Sequence, residues 1–157
     1  MVTQSASSST TASRKELERI GVQYALVHRD VHHLLLMDGD DNIREVLGEF
    51  ISAMGYAILE ARDGLEALQI CDEAAEKGLR IDGAILDLTV ENGMSGRDAI
   101  GILRKKFPHM PVFASSRNIE GPVMVWPTGY GFTDSIAKPF RKHELIAMLR
   151  ESLQIAS

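Results

Sequence analysis

The chain has 157 residues, of which 45% are hydrophobic and 25% are charged, and its formal net charge is −5. These values predict one ordinary globular domain. The sequence has no basic patch for binding nucleic acid and no apolar run long enough to span a membrane. It also lacks the apolar core of a signal peptide, so we do not expect secretion. The single cysteine, Cys71, excludes an internal disulfide and fits a reducing, cytoplasmic location.

The N-terminal part of the chain differs in composition from the rest. It opens with a serine- and threonine-rich tract that is too polar and flexible to pack, and residues 13–31 allow no more than a short helix. We therefore predict a partly disordered N-terminal extension over residues 1–32. A compact domain is expected over residues 33–154, which leaves no room in the chain for a second, output domain.

Strand-like apolar runs alternate with segments of helical period from His33 onward. The predicted strands are HLLLM (33–37), YAILEA (56–61), IDGAILD (81–87), PVFASS (111–116) and DSIAKP (134–139). The predicted helices cover residues 43–54, 65–78, 97–107 and 142–153, and Gly55, Gly78 and Pro108 are the end signals of the first three. Cys71 falls on the apolar stripe of the second helix, which predicts a core position.

This alternation implies parallel strands joined by right-handed crossovers, and so a doubly wound α/β domain with helices on both faces of the sheet. Such sheets bind their ligands outside the carboxyl ends of the strands. Four of the five predicted strands end in side chains that carry chemistry, namely Asp38, Asp87, Ser116 and Lys138. We expect these four groups to meet at one edge of the sheet.

The chemistry of this set favours phosphoryl transfer. Two carboxylates can hold a hard cation such as Mg²⁺, and a carboxylate can itself be the nucleophile that forms an aspartyl phosphate. Negative charge on the transferred group needs a cation and a hydrogen-bond donor nearby, and Lys138 and Ser116 supply them.

Five motifs occur in a fixed order along the chain: LLLMDGDDNIREVL, ARDGLEAL, AILDLTVENGMSGRDAI, PVFASS and AKPF. Together they resemble the receiver domain of two-component response regulators, over residues 33 to about 153. The resemblance implies a flavodoxin-like receiver fold, with a five-stranded parallel sheet in the order 2-1-3-4-5. It also implies a phosphoprotein with Mg²⁺ as cofactor.

The resemblance further assigns roles to residues. Asp87 is expected to be the phosphoacceptor and a metal ligand, together with Asp38 and the backbone carbonyl of Thr89. Ser116 is expected to contact the phosphoryl group and report its presence, and Lys138 to pair with the acids. In the family the bond after this lysine is usually cis, which predicts a cis Lys138–Pro139 peptide.

Gly39 departs from the family pattern, because receivers usually carry two adjacent acids after the first strand. Asp40 is a further candidate ligand, directly or through water, if glycine lets the backbone bend. Losing one carboxylate predicts weaker Mg²⁺ binding. It also lessens repulsion around Asp87, which would ease docking of a phosphate, and these two effects oppose each other.

A second group of departures lies at the signalling end. Ser135 occupies the place where many receivers carry a switching aromatic residue. The fourth helix is expected within residues 120–132, but Pro127 and Gly129 interrupt it, and an interior proline costs about 3 kcal/mol in a helix. We predict a short or broken helix and a remodelled output surface. Trp126 is either an exposed contact residue of that surface or packs against the sheet.

The sequence therefore favours a stand-alone receiver, not a turnover enzyme, that accepts a phosphoryl group on Asp87. Its expected partners are a histidine kinase or histidine phosphotransfer protein and a downstream protein target, and the chain is expected to be a monomer or weak dimer. One alternative is a pseudo-receiver that binds proteins without being phosphorylated. A less favoured one is a phosphohydrolase of the haloacid dehalogenase type with Asp38 as nucleophile and Asp40 as acid/base, although no acidic pair follows Lys138.

Overall fold

The computed structural model describes residues 31–153 of the protein, so most of the predicted N-terminal extension, with its short helix, lies outside the described residues. The strands are β1 (His33–Met37), β2 (Ala57–Ala61), β3 (Gly83–Asp87), β4 (Val112–Ser116) and β5 (Asp134–Ala137). The helices are α1 (Asp41–Ala53), α2 (Gly64–Glu76), α3 (Gly96–Lys106), α4 (Pro122–Val125) and α5 (Lys142–Leu153), with a 3-10 turn at Pro127–Tyr130.

The five strands form one parallel sheet in the order β2-β1-β3-β4-β5, which confirms the predicted fold. From β1 the chain crosses to β2 on one side and then returns to β3 on the other. The strand order thus reverses between β1 and β3, and the ends of these two strands flank the point where such sheets bind ligands. Register places Met37 opposite Leu86, so Asp38 and Asp87 follow at neighbouring positions.

The side chains of each strand alternate between two core layers, one on each face of the sheet. In β1, Leu34 and Leu36 pack under α1 and α5, whereas Leu35 and Met37 face α2, α3 and α4. Each fully buried side chain of this kind contributes roughly 1.5–3 kcal/mol of burial free energy. Cys71 is 1% exposed within the second layer, which confirms its predicted core position.

The fourth helix is broken, as predicted. α4 is a single turn that begins at Pro122, a position where the ring fits a helix because no N–H is needed there. It ends before Pro127, because proline disfavours helical backbone in the residue that precedes it. That preceding residue, Trp126, is 64% exposed, which decides between the two placements left open by the sequence. Within residues 31–153 no helix has the length and apolar content of a membrane span.

Candidate functional site

The predicted strand-end groups meet at one edge of the sheet. The Lys138 ammonium lies 2.6 Å from Oδ2 of Asp38 and 3.1 Å from Oδ1 of Asp87. All three side chains are at most 7% exposed. Buried charges are tolerated when they are paired in this way, but two carboxylates share one ammonium. The trio therefore carries one uncompensated negative charge, which suits a site that binds a cation.

Each carboxylate is also oriented by the loop that follows it. Oδ1 of Asp87 accepts a hydrogen bond from the Thr89 N–H at 3.1 Å, and Oδ1 of Asp38 accepts one from the Asp40 N–H at 2.9 Å. The Lys138 N–H donates to the Ser116 carbonyl at 3.0 Å, and the following Lys138–Pro139 peptide is cis, as the resemblance implies. The backbone thus fixes both acids and the ammonium before any ligand arrives.

Ser116 is 7% exposed and stands at the end of β4, beside the acids. Its Oγ accepts a hydrogen bond from the Asn118 N–H at 3.0 Å. No group in residues 31–153 accepts the Ser116 hydroxyl hydrogen. That hydrogen is therefore available to an oxygen atom of a ligand in the site.

These groups open onto a cleft of about 620 Å³. It is lined by Asp38, Gly39, Asp40, Ile43, Arg62, Asp87, Thr89, Val90, Glu91, Asn92, Ser116, Arg117, Asn118 and Lys138. All residues that were predicted as phosphoacceptor, metal ligands or phosphoryl contacts therefore line this cleft.

Asp40 lines the cleft, but its carboxylate caps a helix. Oδ1 of Asp40 accepts hydrogen bonds from the Asn42 N–H at 2.8 Å and the Ile43 N–H at 3.3 Å, so α1 begins two residues before its predicted start. An aspartate at the N-cap satisfies N–H groups that have no partner within the helix. Ligation of a metal by Asp40 stays a prediction.

The backbone bends at Gly39, but not in the left-handed conformation that glycine adopts more readily than other residues. In the described residues the glycines with left-handed backbone are Gly55, Gly78 and Gly131. A Cβ atom at Gly39 would lie 3.7 Å from Val90 Cγ1 and 3.8 Å from the Arg62 carbonyl oxygen, which are ordinary contacts. A Cβ atom would therefore fit at this position.

The donor set fits Mg²⁺. Asp38 and Asp87 offer carboxylate oxygens, and Mg²⁺ is usually held by one or two carboxylates while it keeps several waters. In the part of the chain that the structure describes, no three His, Cys, Asp or Glu side chains form a metal cluster. The arrangement therefore suits an Mg²⁺ ion that keeps several water ligands, because the side chains around it offer too few donor atoms to complete its coordination.

The two predicted switch residues outside the cleft lie on or beside the broken α4. The Ser135 hydroxyl donates to the Met124 carbonyl at 2.9 Å, which ties β5 to α4. The indole of Trp126 meets the ring of Tyr130 edge-on at 6.4 Å and lies over Gly129. Their roles in switching stay predictions.

Three arginines at or beside the site were not predicted from the sequence. Arg62 and Arg117 line the cleft directly after the ends of β2 and β4, so the strand-end rule would have found them. Arg44 is buried beside the site and donates to the Asp38 carbonyl at 2.6 Å. Its hydrogen bond to Asp41, together with its charge, lowers the pKa of that carboxyl.

Known proteins resemble this chain over the same region. A family model described as "Response regulator receiver domain" matches residues 34–150. Transcription factor SKN7 of Chaetomium thermophilum is 30% identical over 120 residues, which cover 76% of this chain and 15% of that protein. The chain spans 15%, 21% and 51% of the lengths of the first three curated relatives.

Solved structures agree with the fold. The receiver domain of NtrX from Brucella abortus has a TM-score of 0.67 at 25% identity, with 78% of this chain and 99% of that chain covered. The receiver domain of the sensor histidine kinase PA1611 from Pseudomonas aeruginosa, with a magnesium ion coordinated in its active-site cleft, has a TM-score of 0.67 at 20% identity, covering 80% and 99%.

Proposed function

Because this chain belongs to the response regulator receiver domain family, we propose that Asp87 accepts a phosphoryl group from a phosphohistidine of a histidine kinase or histidine phosphotransfer protein. The observation that carries the proposal is the buried trio of Asp38, Asp87 and Lys138 at the carboxyl edge of the sheet. Receiver domains are signalling domains of two-component systems, and this one acts as a phosphoacceptor and not as a turnover enzyme.

In the proposed step a carboxylate oxygen of Asp87 attacks the phosphorus atom. The new O–P bond forms as the P–N bond to the donor imidazole breaks, and the bonding electron pair stays on the nitrogen, which takes up a proton from solvent. Asp87 is a suitable nucleophile because Lys138 and the Thr89 N–H hold its carboxylate in one orientation. Ser116 donates to a phosphoryl oxygen, and Lys138 offsets its charge.

Asp38, Asp87 and the Thr89 carbonyl are the groups that would hold Mg²⁺, and Asp40 is a further candidate. A bound Mg²⁺ supplies positive charge for the phosphoryl oxygens and lowers the repulsion between phosphate and carboxylates. The magnesium ion in the active-site cleft of the Pseudomonas receiver supports Mg²⁺ as the ion of this cleft. With Gly39 in place of a second acid, we expect weaker binding of the ion than two adjacent acids would give.

The signal then passes to a downstream protein. Contact between Ser116 and the phosphoryl group would move the end of β4, which pairs with β5. The Ser135–Met124 hydrogen bond connects β5 to α4, beside the exposed Trp126. We propose that the receiver acts as a cytoplasmic monomer or weak dimer. Its relatives are longer, so the mass of the protein isolated from its native cells tests whether further domains accompany the receiver.

A second candidate function is a pseudo-receiver that binds a partner without phosphorylation. Gly39 and the single-turn α4 favour it. Gly39 stands where receivers usually carry a second acid, and the short α4 changes the surface that is expected to signal phosphorylation. The phosphohydrolase alternative has less support. The chain belongs to the receiver family, and the proposed acid/base Asp40 caps α1.

Intact mass after incubation with Mg²⁺ and acetyl phosphate tests the proposal. We expect one phosphate adduct on the wild-type protein and none on Asp87→Asn, because the amide lacks the nucleophilic oxygen. Absence of the adduct in a folded sample, with a phosphorylated histidine phosphotransfer protein also failing as donor, would support the pseudo-receiver. An adduct that survives Asp87→Asn and is lost in Asp38→Asn would restore the phosphohydrolase.

A further inference from the structure

Two arginines line the cleft in addition to Lys138. Arg62 follows β2 and Arg117 follows β4, so the strand order places them on opposite sides of Asp38 and Asp87. The Arg62 guanidinium is 4.0 Å from Oδ1 of Asp41, which gives it a weak acidic partner. The exposed Arg117 side chain has no hydrogen bond or ion pair with any group in residues 31–153.

Phosphorylation would increase the negative charge of the site. The trio of Asp38, Asp87 and Lys138 already carries one uncompensated negative charge. A phosphoryl group replaces the single charge of Asp87 by roughly two. Gly39 offers no carboxylate to a metal ion, so we expect weaker binding of Mg²⁺. Less of the added negative charge would then be compensated by the ion.

Arg117 is placed to supply that charge. It follows directly after Ser116, whose hydroxyl faces the same cleft. Arg117 also lines an apolar groove of about 520 Å³ along α1, and it shares the wall between groove and cleft with Ile43 and Lys138. Its side chain is exposed, so turning toward the phosphoryl group displaces no core residue. A planar guanidinium can donate two parallel hydrogen bonds to phosphoryl oxygens.

We propose that Arg117 is a second phosphoryl-contacting cation, which closes over the phosphoryl group on Asp87 and lowers the Mg²⁺ requirement of a site that has Gly39. The inference rests on the proposed function and adds a residue to it. Arg117 forms and breaks no covalent bond, since the transfer itself is the P–N to P–O exchange at Asp87. Its contribution is confined to the phosphorylated state, because without phosphate it has no anionic partner.

The test compares the Mg²⁺ concentration that gives half-maximal phosphorylation by acetyl phosphate, measured by intact mass. Arg117→Ala is expected to raise this concentration about tenfold, the effect of one charge-assisted hydrogen bond, and Arg117→Lys by less. Arg80→Ala is the matched control, because it removes the same charge from an exposed residue that pairs with Asp82 at the opposite edge of the sheet. It should leave the Mg²⁺ requirement unchanged.

A second readout does not depend on phosphorylation rates. Beryllofluoride, a mimic of the phosphoryl group, should shift the Nε–H resonance of Arg117 in an ¹⁵N spectrum of the wild-type protein and leave that of Arg80 in place. In a separate titration, Mg²⁺ alone should bind unphosphorylated Arg117→Ala no more weakly than the wild type, because Arg117 adds positive charge near the metal.

The outcomes separate this inference from the proposed function. If the wild type is phosphorylated on Asp87 and Arg117→Ala has the same Mg²⁺ requirement, the inference is wrong and the proposed function stands. Equal weakening of Mg²⁺ binding before phosphorylation would also overturn it, because the effect would then be an altered metal site. If Asp87 of the wild type takes no phosphate from any donor, the proposed function fails first.

Discussion

Gly39 is the residue at which this site departs furthest from the acidic pair expected after β1. Neither backbone conformation nor packing requires glycine there, since its φ is not left-handed and a Cβ would meet only ordinary contacts. The residue therefore changes the charge of the cleft without serving the fold. A substitution at Gly39 can test the charge with little change in packing.

We predict that Gly39→Asp tightens Mg²⁺ binding by at least roughly tenfold. A carboxylate about 4 Å from a divalent ion gains roughly 8 kcal/mol at an effective dielectric constant near 20, and desolvation offsets most of this gain. Isothermal titration with Mg²⁺ measures the affinity. Gly39→Ala is the control, since it fills the same space without charge, and an equal change in both variants would contradict the electrostatic explanation.

Cys71 is a residue whose surroundings give stability a pH dependence. Burial raises the pKa of its thiol from 9.0 to about 12. Because the folded-state pKa lies above the unfolded one, the thiol's contribution to stability is complete below about pH 9. It is lost as pH rises toward 12.

We predict that the wild type loses roughly 1 kcal/mol more of its unfolding free energy than Cys71→Ala between about pH 8 and about pH 10. The comparison between the two proteins cancels the titration of lysines and tyrosines, which both share. Urea unfolding at the two pH values, under reducing conditions, measures the difference. Parallel losses in the two proteins would show that the thiol ionises as readily in the folded state.

At the level of elements, the start of α3 packs closely against the end of β3, where Asp87 lies. Gly96 is the first residue of that helix, and a Cβ there would lie 2.7 Å from the Asp87 carbonyl oxygen and 2.8 Å from Leu86 Cβ. These atoms belong to the backbone and core of β3, which cannot move freely. The close approach of α3 to β3 thus fixes where the phosphoacceptor strand ends.

We predict that Gly96→Ala destabilises the protein by roughly 1–3 kcal/mol, the usual effect of overpacking, and slows phosphorylation of Asp87. Gly101→Ala is the matched control in the same helix. It is exposed, with open space around the added methyl group, and should stabilise α3 by up to about 1 kcal/mol. Denaturant unfolding measures both, and a neutral Gly96→Ala would show that β3 and α3 can separate.

Most secondary-structure elements could be predicted from the sequence, because their signals are local. Strand and helix periods predicted the five strands and α1, α2, α3 and α5, and Pro127 predicted the break in the fourth helix. The 3-10 turn at Pro127–Tyr130 was not predicted. The capping of α1 by Asp40 was not predicted, although a carboxylate directly before a helix is an N-cap signal, and its role as a metal ligand stays a prediction. The bond of Ser135 to Met124 depends on packing between separate elements, which no local pattern contains.

At the level of the whole molecule, the site exists only when the fold is complete. Asp38 lies after β1, Asp87 after β3 and Lys138 after β5, and the strand order alone brings them within hydrogen-bonding distance. The unfolded chain cannot present these oxygens together. A ligand that bridges them binds the folded state alone and therefore stabilises it by mass action.

We predict that Mg²⁺ raises the free energy of unfolding of the wild type, by about 2.7 kcal/mol at a hundredfold excess over its dissociation constant. Asp38→Asn should gain clearly less at the same Mg²⁺ concentration, because one of the two buried carboxylates is gone. Urea unfolding with MgCl₂, compared with NaCl at equal ionic strength, separates binding from screening. Equal gains in both proteins would place the ion elsewhere on the surface and contradict a metal site built by the ends of β1 and β3.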